Sequence, residues 1–141
     1  MEEFEDDSES FQNLVQDLDH VFSQYIRNKH ADKNGIAECY TCGAKHTVAE
    51  IQCGHFMGRT NLGTRWMESN CRPQCMECNY FKTGNIEEFE NKLHEENGAL
   101  VEYLRETSRQ AVRPTRDELK SLILEYRAKL NLVKKKFVLQ K

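Results

Sequence analysis

Two Cys-x-x-Cys pairs constrain this chain more than any other feature of its sequence. Cys39-x-x-Cys42-Gly43 and Cys75-x-x-Cys78 can each turn two thiols toward one point, and together they offer four soft ligands to a tetrahedral zinc ion. Gly43 suits the tight turn that such a knuckle needs. Four thiolates close the coordination sphere and leave no position for water, so this zinc is structural. Residues 43–74 then form an excursion held shut at its base. Cys53 and Cys71 lack the spacing and are read as free thiols. The start, MEEFEDDSES, is acidic and has no apolar leader region. No apolar run approaches the roughly 20 residues of a membrane span. A reducing cytoplasm is expected, where cysteines serve metals more than disulfides.

A chain of 141 residues has room for one domain with a real core. Residues 1–9 read as an acidic arm without fixed structure. Phe11, Leu14, Val15, Leu18, Val21, Phe22, Tyr25 and Ile26 recur at three- and four-residue steps, which predicts an amphipathic helix within 10–30. Residues 36–55 predict a zinc-binding loop followed by a hairpin, and 56–73 a long loop. A short helix is expected from near Cys75 to Gly84. Residues 86–136 predict helices, interrupted at Asn97-Gly98 and again near Pro114. Thr115-Arg-Asp-Glu118 reads as a capping box for the last and longest of them. Residues 137–141 are left as a tail.

Charge is segregated. Residues 1–19 carry eight acids and no Lys or Arg, whereas the stretch from Arg105 onward holds 11 basic and 4 acidic residues. Arg116, Arg127, Lys134, Lys135 and Lys136 are candidates for contact with nucleic-acid phosphates. A pair of solvated helix faces would account for the same pattern.

Within the excursion lie Gly54-His55, Arg59, Arg65, Trp66 and Asn70, and the second Cys pair runs directly into Asn79 and Lys82. Trp66 is assigned to packing. The order Cys-x-x-Cys, His55, Asn70, Cys-x-x-Cys-Asn79-x-x-Lys82 resembles the HNH nuclease motif of the ββα-metal fold, with Asn79 in place of the usual last His. It is similar to endonuclease VII-type junction resolvases. A closer resemblance is to the phage NinG/Rap recombination nuclease family, carried by Phe22-x-x-Tyr25-Ile26-Arg27, Gly54-His55-Phe56, Arg65-Trp66, Asn70-x-x-x-Gln74-Cys75-x-x-Cys78-Asn79 and Gly84-Asn85. The block from His55 to Gly84 is its specific part.

That resemblance implies an α+β, mostly helical protein, with a zinc-stabilised HNH-like core at 36–85 flanked by amphipathic helices. It implies a metal-dependent endonuclease acting on DNA, on branched recombination intermediates such as Holliday junctions. His55 would be the general base, and Asn70 would fix the loop or orient the imidazole. Asn79 would offer its oxygen to a catalytic Mg²⁺ or Mn²⁺. Arg59, Arg65 and Lys82 would contact phosphate. A homodimer is expected, with two sites for the two strands of a junction, alongside phage or host recombination proteins as partners in the host bacterial cytoplasm. One departure stands out: Gly54 occupies the position where many HNH sites carry a metal-binding Asp. Glu50, Glu68 or Glu77 could supply the missing oxygen. An HNH nickase or other nuclease without junction preference, and a non-catalytic zinc-stabilised DNA-binding module, are the competing readings.

Overall fold

The computed structural model describes the backbone of residues 2–139 and the side chains of residues 11–137. The protein is α+β and mostly helical. Helix α1 (Glu2–Lys29) leads into strand β1 (Ile36–Glu38), then β2 (Lys45–Thr47) and β3 (Gln52–His55). A one-turn helix α2 (Leu62–Arg65) and a 3-10 turn (Glu68–Asn70) precede β4 (Cys71–Gln74). A π-helical turn (Glu77–Phe81) follows, then α3 (Ile86–Glu96), α4 (Leu100–Ser108) and α5 (Arg116–Leu139). Among the described residues no helix is long and apolar enough to cross a membrane.

The two long helices form because each carries one apolar stripe, and each stripe is buried on the other. Leu18, Val21, Phe22 and Ile26 of α1 meet Leu119, Ile123, Tyr126 and Leu130 of α5 in one core cluster, which Trp66 and Cys71 complete. Contacts advance together along both helices. Arg113, just before α5, lies over Phe11 at 4.0 Å, Phe22 meets Tyr126 edge-on at 5.0 Å, and Lys136 reaches Asn28 O at 2.6 Å. The helices are therefore parallel, and everything between them is one long crossover. Lys136 also donates to Ala31 O at 2.8 Å. It thereby satisfies carbonyls that the end of α1 leaves without helical partners. The capping box of α5 is present: Thr115 N donates to Glu118 Oε1 at 2.8 Å, and Glu118 N to Thr115 Oγ1 at 3.1 Å.

Several boundaries differ from the sequence reading. Helix α1 begins at Glu2, not near residue 10, and the side chains of residues 1–10 lie outside the described residues. Helix α5 continues past residue 136 to Leu139. The zinc knuckle does not precede the first hairpin but forms its turn, because β1 and β2 pair antiparallel on either side of it, with Ala37 opposite His46. The expected loop of 56–73 ends early. Cys71–Gln74 is a strand, paired antiparallel with β3 in the register Gln52 with Gln74 and His55 with Cys71. All four of its residues are buried, so it shows no alternation of polar and apolar side chains. A second core cluster of Phe56, Phe89, Leu93, Val101 and Leu104 packs α3 and α4 beneath the same ribbon.

Glu68 joins the crossover to both long helices. Its carboxylate accepts from Lys29 at 2.9 Å and Lys129 at 3.0 Å, and from the Tyr126 hydroxyl at 3.3 Å. Burial pushes its pKa up, but the hydrogen bonds and charges of the two lysines outweigh that and hold it at about 2. A carboxyl depressed below its unfolded value stabilises the fold above the unfolded pKa and loses that contribution as pH falls toward its folded pKa. Glu68→Gln should lower stability at neutral pH by about 1 kcal/mol, the scale of a partly exposed ion pair. It should also flatten the decline of the denaturant midpoint between pH 4.5 and about 2 relative to wild type.

Candidate functional site

The sulfurs of Cys39, Cys42, Cys75 and Cys78 all lie within 4.8 Å of one another, and Cys42 Sγ is 3.7 Å from Cys75 Sγ. A zinc ion with four Zn–S bonds of about 2.3 Å sets its sulfurs roughly 3.8 Å apart, so the donor set and its size fit that ion. Local backbone explains the gathering. Gly43 adopts φ +81°, the left-handed turn that returns the chain to Ala44 O, which accepts from Cys39 N at 2.8 Å. Donors surround the sulfurs: Cys78 N lies 3.4 Å from Cys75 Sγ, and Asn85 Nδ2 lies 3.6 Å from Cys78 Sγ. Thr41 Oγ1 accepts from Gln74 Nε2 at 3.0 Å, which leaves its proton for Cys39 Sγ at 3.4 Å. Such donors suit thiolates that hold a metal.

Beside this centre a groove of about 970 Å³ runs between α1 and β3. His55, Cys53 and Gln52 line it from β3, Asp19 and Arg27 from α1, and Arg59 from the loop after β3. His55 Nε2 is 3.0 Å from Arg65 O. A carbonyl only accepts, so Nε2 carries the proton and Nδ1 is left with its lone pair. Burial lowers the His55 pKa to about 4, so the ring is neutral at physiological pH.

Arg65 is held in turn. Asp19 accepts from Arg65 Nε at 3.1 Å and Nη2 at 2.5 Å, from Arg59 at 2.9 Å, and from Trp66 Nε1 at 2.9 Å. Desolvation opposes the charge on Asp19, but the Arg65 and Trp66 hydrogen bonds overcome it and lower its pKa. The Arg65 guanidinium is therefore committed to the fold, while the Arg59 side chain remains 60% exposed. Trp66 is buried in the core. Asn70 is buried with every amide atom engaged: Nδ2 donates to Met57 O and Thr64 O, and Oδ1 accepts from Met57 N at 2.8 Å. It orders the loop.

Asn79 does not line the groove. Its Nδ2 donates to Gln52 Oε1 at 2.8 Å, so it meets the groove only through Gln52. The residues for a hard cation are correspondingly sparse. A Cβ on Gly54 would collide with the Gln74 side chain, which fills that space and whose Oε1 is buried without a hydrogen-bond partner. Around Gly54 the fold brings neutral amide oxygens, while Asp19, the carboxylate facing the groove from α1, is engaged by Arg59, Arg65 and Trp66, so the fit to Mg²⁺ or Mn²⁺ rests on the Asn79 end. Of the carboxylates considered for the second ligand, Glu68 is taken by its lysines. Glu50 lines the groove but accepts from Thr47 Oγ1 at 3.0 Å, and Glu77 is exposed on the π turn.

Lys82 is exposed, as are Arg127, Lys134 and Lys135, whereas Arg116 is half-buried and Lys136 is engaged at the end of α1. Sequence reasoning missed Asp19, the groove residues Arg27 and His46, and the cluster of Cys53 and Cys71 around His55. It also missed Tyr80 and Phe81, which stand 71% and 64% exposed beside Lys82. The chain past them is held by positive φ at Thr83, Gly84 and Asn85. An exposed Tyr-Phe dipeptide directly after Cys78-Asn79 was visible in the sequence as a signal.

Fold and site define a protein in which two parallel helices flank a compact β-ribbon unit with a four-cysteine cluster able to hold a metal ion. A family model, described as the Bacteriophage Lambda NinG protein, matches residues 6–136, and the chain belongs to the NinG family. It is similar to Protein ninG of Salmonella phage P22, at 29% identity over 119 residues, covering 82% of this chain and 55% of that protein. The chain thus spans about half the length of that relative. No solved structure matches.

Replacing Cys78 by Ser should remove bound zinc and much of the fold, because structural zinc binding is folding free energy. Cys53→Ser should leave both in place. Metal analysis of the purified protein with far-UV circular dichroism reads both, and a zinc-free protein with a normally folded Cys78→Ser variant would overturn the assignment.

Proposed function

We propose that this protein is a metal-dependent endonuclease that hydrolyses DNA phosphodiester bonds through an HNH-like ββα-metal unit. In this reading β3, the loop 56–70, β4 and the zinc-tied turn after Cys75 form that unit. The observation that carries it is the tautomer of His55. An imidazole whose Nε2–H is fixed by Arg65 O, and whose Nδ1 is unprotonated beside an open groove, is set up to take a proton from water. A structural histidine gains nothing from a groove. Arg59 and Arg27 supply positive charge along the same groove for the scissile phosphate. Asn79 would hold Mg²⁺ or Mn²⁺ through Oδ1, its Nδ2 being used by Gln52. When bound, that cation would neutralise phosphate charge and stabilise the leaving oxygen. Because Gly54 contributes no carboxylate, substrate phosphate and water would complete its shell.

Branched recombination intermediates, Holliday junctions among them, are the proposed substrates, by analogy with the family resemblance. The exposed Tyr80–Phe81 pair beside Lys82 suits unstacked bases at a branch point better than a continuous duplex. A homodimer is proposed for cleavage of two strands. Its contact would use surface other than the apolar stripes of α1 and α5, which cover each other.

The test is a cleavage panel with Mg²⁺ or Mn²⁺ on a four-way junction, linear duplex, single-stranded DNA and RNA. His55→Ala should lose about 10²–10⁴ in rate, the scale of a positioned general base, with folding and DNA binding retained. Asn79→Ala should lose activity that higher Mn²⁺ partly restores, which His55→Ala should not show. Wild-type cleavage by His55→Ala would leave a zinc-stabilised DNA-binding module as the better account.

Lys134 and Lys135 should add affinity without reading sequence. Changing both to Ala should weaken binding to all DNA alike and reduce the slope of log affinity against log salt by about 2. Fluorescence anisotropy across a salt series checks this.

A further inference from the structure

We infer that Cys53, His55 and Cys71 form a second metal site, selective for thiophilic divalent ions such as Zn²⁺ and Cd²⁺, distinct from the four-cysteine centre. The two cysteines fall outside the Cys-x-x-Cys pairs, yet the β3–β4 register assembles them. Cys53 and His55 are two apart on β3 and share a face, and Cys71 lies directly opposite His55 on β4. One ligand atom from each lies within 4.8 Å of the other two, the same spacing that the four-cysteine centre meets. The side chains are held from below. Cys71 is fully buried in the main core, its Sγ 3.9 Å from Arg65 O, the same carbonyl that accepts from His55 Nε2. From above the cluster is reachable, since Cys53 and His55 both line the groove.

Two thiolates and one imidazole are a ligand set that zinc uses when a fourth position stays open. Here the open position would face the groove. Softness selects the ion: two sulfurs disfavour Mg²⁺ and favour Zn²⁺ or Cd²⁺. Whichever imidazole nitrogen binds, His55 is altered. Coordination through Nδ1 occupies its free lone pair, and coordination through Nε2 displaces the proton held on Arg65 O. Metal binding itself does not depend on the nuclease reading. Its consequence does: if His55 is the general base, a thiophilic ion at this site blocks cleavage while Mg²⁺ or Mn²⁺ does not.

The experiment starts from reduced, zinc-loaded protein that carries one zinc per chain, and titrates Cd²⁺ while following thiolate-to-cadmium charge-transfer absorption and intact native mass. Zinc retained at one per chain shows that the four-cysteine centre is undisturbed. The expected result is a second metal per chain with new charge-transfer absorption. Cys53→Ser should weaken that uptake at least about 100-fold, because even changes next to a ligand cost about 10–100-fold. Cys71→Ala, at a buried position, serves as a second variant if it keeps its single zinc. Absence of a second equivalent in wild type would overturn the site. So would uptake that neither variant changes, or loss of uptake through a Cys53–Cys71 disulfide in the reduced preparation. If the second metal binds and cleavage by wild type is unaffected, the site stands and the role of His55 as base falls.

Discussion

The carboxylate of Asp19 is the interaction on which the candidate site depends. It sits on the inner face of α1 and gathers Arg59, Arg65 and Trp66 from the excursion. Trp66 is thereby drawn into the core between the long helices, and Arg65 is fixed as part of the loop. Once Arg65 is fixed, its carbonyl is fixed, and that carbonyl sets the tautomer of His55. A half-buried carboxylate is costly without partners, and here three donors compensate it. Helix α1 is thus more than a lid on the core. Through Arg65 it sets which ring nitrogen of His55 carries the proton.

The zinc centre and the helix pair solve complementary parts of one topological problem. Parallel neighbours cannot be joined by a short turn, so residues 30–115 must leave the end of α1 and return to the start of α5. The first part of that crossover, residues 36–74, holds two small sheets of two strands each, too little for a stable unit alone. Four cysteine sulfurs gathered at one point, placed to hold a metal ion, close that part at the base, and the Arg72–Glu96 pair at 3.1 Å ties β4 to α3 in the second part. The rigid point of the crossover therefore lies next to the groove and not at its periphery, and it holds the groove residues in fixed geometry.

Much of this was legible in the sequence, and what was not has definable causes. The stripes of α1 and α5 are visible because each helix buries one face only, and Cys-x-x-Cys spacing reports its own geometry. The capping box at Thr115 and Glu118 is likewise a local rule that the structure obeys. Strand β4 was read as the end of a loop because residues 56–73 hold Gly58, Gly63 and Pro73 and show no clear period, and Arg72 adds a charge where a central strand would be apolar. The structure accommodates both. Pro73 sits where its carbonyl, not a missing N–H, is used, accepting from Tyr40 N at 2.8 Å, and Arg72 satisfies carbonyls of residues 68, 69 and 71. Asp19 was unreadable because its partners are forty or more positions away and a polar residue on an amphipathic helix looks solvated. Lys136 was read as a phosphate contact for the same reason. Only the parallel packing of α5 shows that it ends at the last carbonyls of α1.

Position 54 brings these constraints together. In sequence, Gly54 is a departure from the HNH pattern, a hydrogen atom where many such sites carry a metal-binding Asp. In the structure the glycine is required by packing: the Gln74 side chain crosses the β3–β4 ribbon at that point, donating to Thr41 Oγ1 at 3.0 Å and Gly84 O at 2.8 Å. Gln74 thereby links the zinc knuckle to the turn that follows the second Cys pair, and any side chain at 54 would displace it. The same space cannot hold both a ligand from β3 and this brace from β4. The fold has the brace, and with it a rigid link between the two halves of the zinc centre. In the nuclease reading proposed above, a hard cation would draw its remaining negative charge from substrate phosphate and bind tightly only together with DNA. An Asp at 54 would not restore a missing ligand; it would break the connection that holds the site together.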